Sequence, residues 1–123
     1  MSILYQKHSR FSKSILIRNF KGEVDVNEII RSWEYLRNES LLTHQLKGVI
    51  NNLTECDLVM DLNSFKLLMS YLNQHECFYS IKLAVVCDKP KSTVYPTLGA
   101  EKESKLKIKP FSTVDAAVQW IIV

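Results

Sequence analysis

The side chains able to do chemistry in this chain are few and scattered. Cysteines stand at Cys56, Cys77 and Cys87, and histidines at His8, His44 and His75. A catalytic thiolate needs a lowered pKa and a positioned base. No histidine is spaced so as to point at Cys56 or Cys87. Cys87 ends an apolar run, where a thiol acts as a small hydrophobe. His75-Glu-Cys77 sets two metal-ligand types close together with no partner pair elsewhere, which does not close a zinc site. There is no Gly-x-Ser-x-Gly elbow, and the three glycines stand singly, so no phosphate-cradling loop is encoded. A phosphoacceptor receiver domain would end its third strand on aspartate. Here Asn51 and Asn52 stand at that place, and an amide cannot accept a phosphoryl group as a carboxylate does. These residues predict a protein that is not an enzyme and has neither cofactor nor metal.

Binding residues are sought where parallel α/β sheets hold ligands, beyond the carboxyl ends of the strands. One such connection carries Asn51, Asn52, Thr54, Cys56 and Asp57, and the next carries Cys87, Asp88 and Lys89. Asparagine can hydrogen-bond a ligand, and a helix N-terminus attracts an anion. The same residue types also organise turns and cap helices, and that is the competing account. Trp33, Met69, Tyr71 and Trp120 are large enough to line an apolar pocket, although on amphipathic helices such residues also build cores and interfaces.

The elements that must position these residues can be read from periodicity. Ile3 to Lys7 and Ser14 to Phe20 predict a hairpin, ended by Lys21-Gly22. Asp25, with Glu28 three residues on, is a helix N-cap. Val26, Ile29, Ile30, Trp33 and Leu36 then form one helical stripe. Leu41 to Lys47 reads as an irregular connection. Gly48 to Leu53 is a short strand, and Thr54 to Asp61 reads as a long loop. A helix over Asn63 to Gln74 buries Phe65, Leu68, Met69 and Leu72. Ile81-Lys-Leu-Ala-Val-Val-Cys87 is the strongest strand, and Asp88-Lys-Pro90 turns into a short helix cut off by Pro96 and Gly99.

The last strand alternates Leu106 and Ile108 with Lys105, Lys107 and Lys109, and Pro110 places it at a sheet edge. Ser112, followed by Asp115, caps a final helix with Val114, Ala117, Val118 and Ile121 on one face. The order is ββαβαβαβα. The fold class is α/β, a single five-stranded mixed sheet (N-terminal hairpin, then parallel strands) with about four helices. If successive strands are neighbours, right-handed crossovers put the first three helices on one face and leave the other partly covered. Lys82, Lys105, Lys107 and Lys109, joined by Arg18, would then be either solvated outer positions or a basic platform for an anionic partner.

The 123 residues make one domain, 1–123, and 46% hydrophobic content is enough for a core without disulfides or metal. A net charge of +3 is too mild for a nucleic-acid binder. Three cysteines without a Cys-x-x-Cys pair suit a reducing compartment. The N-terminus is too polar for a signal peptide, and no apolar run reaches the roughly 20 residues of a membrane span. The expectation is a soluble cytoplasmic protein.

Several strings together resemble the STAS-like superfamily, in particular the SpoIIAA-like proteins related to anti-sigma-factor antagonists. They are the initial hairpin, the Gly-containing turn into a helix bearing Trp33, the short strand at Gly48 to Asn52, Ile81-Lys-Leu-Ala-Val-Val-Cys-Asp88, and the closing Phe111-Ser-Thr-Val-Asp-Ala-Ala-Val-Gln-Trp120. The resemblance implies a non-enzymatic protein that binds protein partners, with some relatives holding small or lipid-like ligands. Antagonists of this kind carry a phosphorylatable serine in an Asp-Ser-x-Gly-like turn after the third strand. The matching stretch, Asn51-Asn-Leu-Thr-Glu-Cys56, has neither that serine nor a glycine. Thr54 is the nearest hydroxyl, so the phosphorylation switch is not carried over. The leading expectation is a regulatory or protein-interaction module that can self-associate as a homodimer. The alternative is a carrier of a small hydrophobic or lipid-like ligand.

Overall fold

The computed structural model describes residues 3–88 and 105–123. Strand β1 (Ile3–Lys7) pairs antiparallel with β2 (Ile15–Asp25), Ile3 opposite Phe20 and Lys7 opposite Leu16. The intervening turn is fastened by His8, whose Nδ1 accepts from the backbone N–H groups of Arg10 (3.2 Å) and Phe11 (3.1 Å).

Strand β2 does not stop at Lys21-Gly22, as its sequence predicts. It continues to Asp25 alongside β3 (Gly48–Val59), which itself runs through the expected loop at Thr54 to Val59. The physical reason lies at Gly22. Its φ of +72° falls in the left-handed region, next to a register shift between Asn19 and Lys21. Such a glycine marks a bulge that adds twist without ending the ladder. Beyond the bulge, Val24 and Cys56 point inward and are buried, while Lys21, Glu23, Glu55 and Asp57 point to solvent. Lys21 and Glu55 lie opposite each other at 3.6 Å. Their polar faces make the stretch look like a loop.

Helix α1 (Val26–Asn38) starts as predicted, with Asp25 accepting from the Glu28 N–H at 2.9 Å. It ends in a Schellman motif: Leu41 N–H donates to Leu36 O (3.0 Å), Ser40 N–H donates to Arg37 O (3.2 Å), and Ser40 has φ of +57°. Helix α2 (Leu62–Asn73) is capped by Asp61, which accepts from the Ser64 N–H at 2.7 Å. A 3-10 turn (Glu76–Phe78) leads to β4 (Lys82–Val86), and β5 (Lys107–Phe111) precedes α3 (Val114–Ile122). The cap of α3 is Thr113, not Ser112. Because β5 runs on to Phe111, the helix begins one residue later, with Thr113 Oγ1 accepting from the Ala116 N–H at 3.2 Å. The short helix expected after Asp88 lies outside the described residues.

The sheet order is β1-β2-β3-β4-β5, with every pair after the first parallel. Pro110 sits in the edge strand, opposite Val85. Helices α1 and α2 pack on one face over Leu16, Phe20, Val49, Leu53 and Leu83. The other face is covered by α3, whose Ala117, Val118 and Ile121 meet Ile15, Ile17, Ile50, Ala84 and Val86. The two-sided covering explains why β4 reads as a nearly continuous apolar run. Lys82 caps the end of α3, its Nζ donating to Trp120 O (2.7 Å) and Val123 O (3.3 Å). Lys107 and Lys109 are exposed on the same side as Lys82.

Arg18 is not part of that basic face. It stands opposite Asn51 under α1, on the other side of the sheet, and is 2% exposed. Its parity in β2 matches Leu16 and Phe20, which are both inward.

Candidate functional site

Three elements converge on the Arg18 guanidinium. From β3, Asn51 Oδ1 accepts from Arg18 Nε (2.8 Å) and Nη2 (2.6 Å). From α1, Ser32 Oγ accepts from Nη1 (3.0 Å), and the Trp33 ring stacks with its centroid 3.7 Å from the guanidinium carbon. The Phe20 ring lies 4.9 Å away. Each partner is itself held. Asn51 Nδ2 donates to Ala84 O (3.0 Å), and Ser32 Oγ hydrogen-bonds Tyr5 Oη on β1 (2.7 Å). Asn51 and Ser32 are the other buried polar residues among those described. The network thus takes in all three buried polar side chains.

A buried cation normally has an anion beside it, because its desolvation costs several kcal/mol. Among the described residues, no carboxylate touches Arg18. Its hydrogen-bond partners are an amide and a hydroxyl, and two aromatic faces supply cation–π attraction. Burial pulls its pKa from 12.5 down to about 9, opposed by the neighbouring Tyr5 phenol. At neutral pH it is still a cation.

Beside this group lies a cavity of about 80 Å³ between the sheet and helices α1 and α2. Arg18, Phe20, Trp33 and Asn51 close its deep end, where every residue is buried. Leu58, Leu68, Met69, Val85 and Ile108 line it where burial is only partial. Apart from Arg18 and Asn51, the described lining residues are all apolar, including Leu53, Met60, Phe65 and Leu83. Such a chamber can hold a small apolar body, with only the edge of the Arg18–Asn51 network showing in its wall.

The residues singled out from sequence fare unequally. Asn51 lines the cavity. Asn52 faces the opposite side of the sheet, where its Nδ2 donates to Asn19 Oδ1 (3.0 Å) and its Oδ1 accepts from Thr54 Oγ1 (2.8 Å). Thr54 therefore belongs to a strand and not to a turn at a helix start. Cys56 is buried within β3, and Asp57 and Asp88 are exposed. Cys87 is buried, and its N–H donates to Phe111 O at 3.0 Å. Lys89 lies outside the described residues. The set does not assemble into one site, because alternation along β3 sends its members to opposite faces. Trp33 and Met69 do line the cavity, whereas Trp120 packs on Phe111 on the far face (5.5 Å).

Tyr71 serves to join the helices. Its hydroxyl donates to Glu34 Oε1 on α1, which also accepts from Arg37 Nη1 at 2.8 Å. That bond, then Arg37, holds Glu34 below the usual carboxylate range, while burial pushes Tyr71 up to about 12. Among the described residues, no group of three or more His, Cys, Asp or Glu is placed to hold a metal ion. No helix among them is long and apolar enough to cross a membrane.

No family model matches the chain, and no curated protein matches it significantly in sequence. Solved structures do match in shape. An uncharacterized protein of the DUF3478 family with a SpoIIAA-like fold, from Shewanella loihica PV-4, aligns with a TM-score of 0.63 at 13% identity, covering 97% of this chain and 91% of that one. The anti-sigma factor antagonist SpoIIAA in its unphosphorylated form aligns with a TM-score of 0.59 at 10% identity, covering 98% and 96%. The chain has a SpoIIAA-like fold.

Proposed function

We propose that this chain is a non-catalytic binding module that holds a small hydrophobic or amphipathic molecule between its sheet and helices α1 and α2. One observation carries the reading: an apolar cavity of about 80 Å³ ends on a buried polar network. An apolar cavity of this kind offers dispersion contacts to an occupant of matching size. A non-catalytic role is supported by the placement of the thiols, since Cys56 and Cys87 are buried in or beside strands. Cytoplasmic operation fits the cysteine usage.

An NMR titration with 1-pentanol tests this reading. Saturable shifts at Leu53, Leu83 and Met69 methyls are expected. A titration that leaves these methyls unmoved up to the solubility limit would overturn it.

A second reading is favoured by a separate observation. Val59, Leu62 and Leu67 are each about half exposed around the start of α2 (49%, 49% and 53%). Exposed apolar groups near one helix suit contact with a protein partner. SpoIIAA itself is described as an antagonist of an anti-sigma factor. On this reading the module is regulatory, and ligand occupancy and partner contact meet on neighbouring parts of one helix. Light scattering of Leu62→Glu and Leu67→Glu variants, beside wild type, separates self-association from a monomer. A monomeric wild type would remove the homodimer version.

A further inference from the structure

The deep end of the cavity selects for more than an apolar occupant, provided that the cavity is the ligand site of the proposed function. A guanidinium has five N–H donors in a fixed fork. Three of Arg18's are used, two on Asn51 Oδ1 and one on Ser32 Oγ. The other two have no acceptor among the described residues. The residue is almost wholly withdrawn from solvent, so water does not screen it as it would at the surface. Its neighbours among the described residues are neutral, and none of them balances its charge.

We infer that the ligand carries a single negative charge, a carboxylate on a short aliphatic chain, with the carboxylate against Arg18 and the chain among Leu53, Phe65, Met69 and Leu83. The geometry selects each part. A carboxylate accepts paired N–H donors from guanidinium and forms the strong class of hydrogen bond. One charge balances one charge, whereas a phosphate dianion would bury a second that nothing here neutralises. Beyond Arg18 and Asn51 the described wall residues are all apolar, so the rest of the ligand is apolar too. The length is set by volume. A cavity of roughly 150 Å³ takes the six carbons of benzene, so 80 Å³ takes about three, and a chain of four or five carbons enters only as Met60 and Met69 yield around it.

Pentanoate and 1-pentanol are matched probes, alike in chain and different in charge. Calorimetry on the wild-type protein is expected to show pentanoate binding about tenfold or more tighter than the alcohol. The ¹⁵N resonance of Arg18 Nε is expected to move with pentanoate and to stay with pentanol. In Arg18→Met, pentanoate should lose its advantage while pentanol still binds. If the variant does not fold, the Arg18 Nε resonance of the wild type decides alone. Equal affinity for both probes, or pentanoate shifts confined to Lys107 and Lys109, overturns the anionic ligand and leaves the apolar site standing. Failure of both probes to bind overturns the site and this inference together.

Discussion

Arg18 and Asn51 occupy opposed positions on two parallel strands, and one asparagine oxygen receives two hydrogen bonds from the arginine (2.8 and 2.6 Å). Removing either partner has different consequences from removing both. Asn51→Leu leaves a buried cation without its main acceptor, and a loss of about 3–5 kcal/mol is expected. Arg18→Met with Asn51→Leu removes charge and acceptor together and is expected to be as stable as wild type or up to about 4 kcal/mol more stable. Urea unfolding of the two variants checks this. A double variant no more stable than the single one would show that the pair does not interact as described.

Gly48 begins β3 where α3 lies closest. A Cβ there would sit 2.8 Å from three side-chain carbons of Ile121. Gly48→Ala is therefore expected to cost about 1–3 kcal/mol through overpacking. Ile121→Val in the same chain should recover part of that loss. Thermal unfolding of the single and paired variants reads the coupling.

At Gly22 the constraint is on the backbone, since no heavy atom beyond its chain neighbours lies within 4 Å of an added Cβ. Gly22→Ala should cost about 1–2 kcal/mol for holding φ at +72°. Gly22→Asn should cost less, because asparagine tolerates that region better. Chemical unfolding of both variants measures the difference, and equal losses would point to a cause other than φ.

The Glu34–Tyr71 bond between α1 and α2 has a pH signature. Glu34 is lowered in the folded state, chiefly by the Tyr71 hydroxyl. A lowered carboxylate contributes stability that is present above its unfolded pKa, which is about 4.3. That contribution is lost as pH falls through the lowered folded value. Wild type should therefore exceed Tyr71→Phe in stability near neutrality, and the gap should narrow on acidification. Chemical unfolding of both proteins from pH 7 to pH 2 would show it.

The five strands and the helix start at Asp25 are legible in the sequence because their signals are local, in alternation, caps and β-branched runs. The β2–β3 ribbon beyond Gly22 is not. Its pairing is between distant segments, and a glycine that twists a strand has the same sequence appearance as one that ends it. The site is hidden for a related reason. Arg18 has the composition of a surface residue, and only its parity with Leu16 and Phe20 marks it as inward. Ser32, beside Trp33 in the buried stripe of α1, carries the same kind of signal. Asn51 stands out as an amide directly after the apolar pair Val49-Ile50, though its partner can be assigned only once β2 and β3 are in register.

The central claim is that an accessible apolar chamber lies between Trp33, Leu53 and Phe65. Diffraction from a crystal of the protein pressurised with xenon tests it most directly, since xenon enters dry cavities regardless of charge. A xenon atom bounded by those three side chains is the expected result. Xenon absent from that space, with well-ordered side chains closing it, would contradict the account.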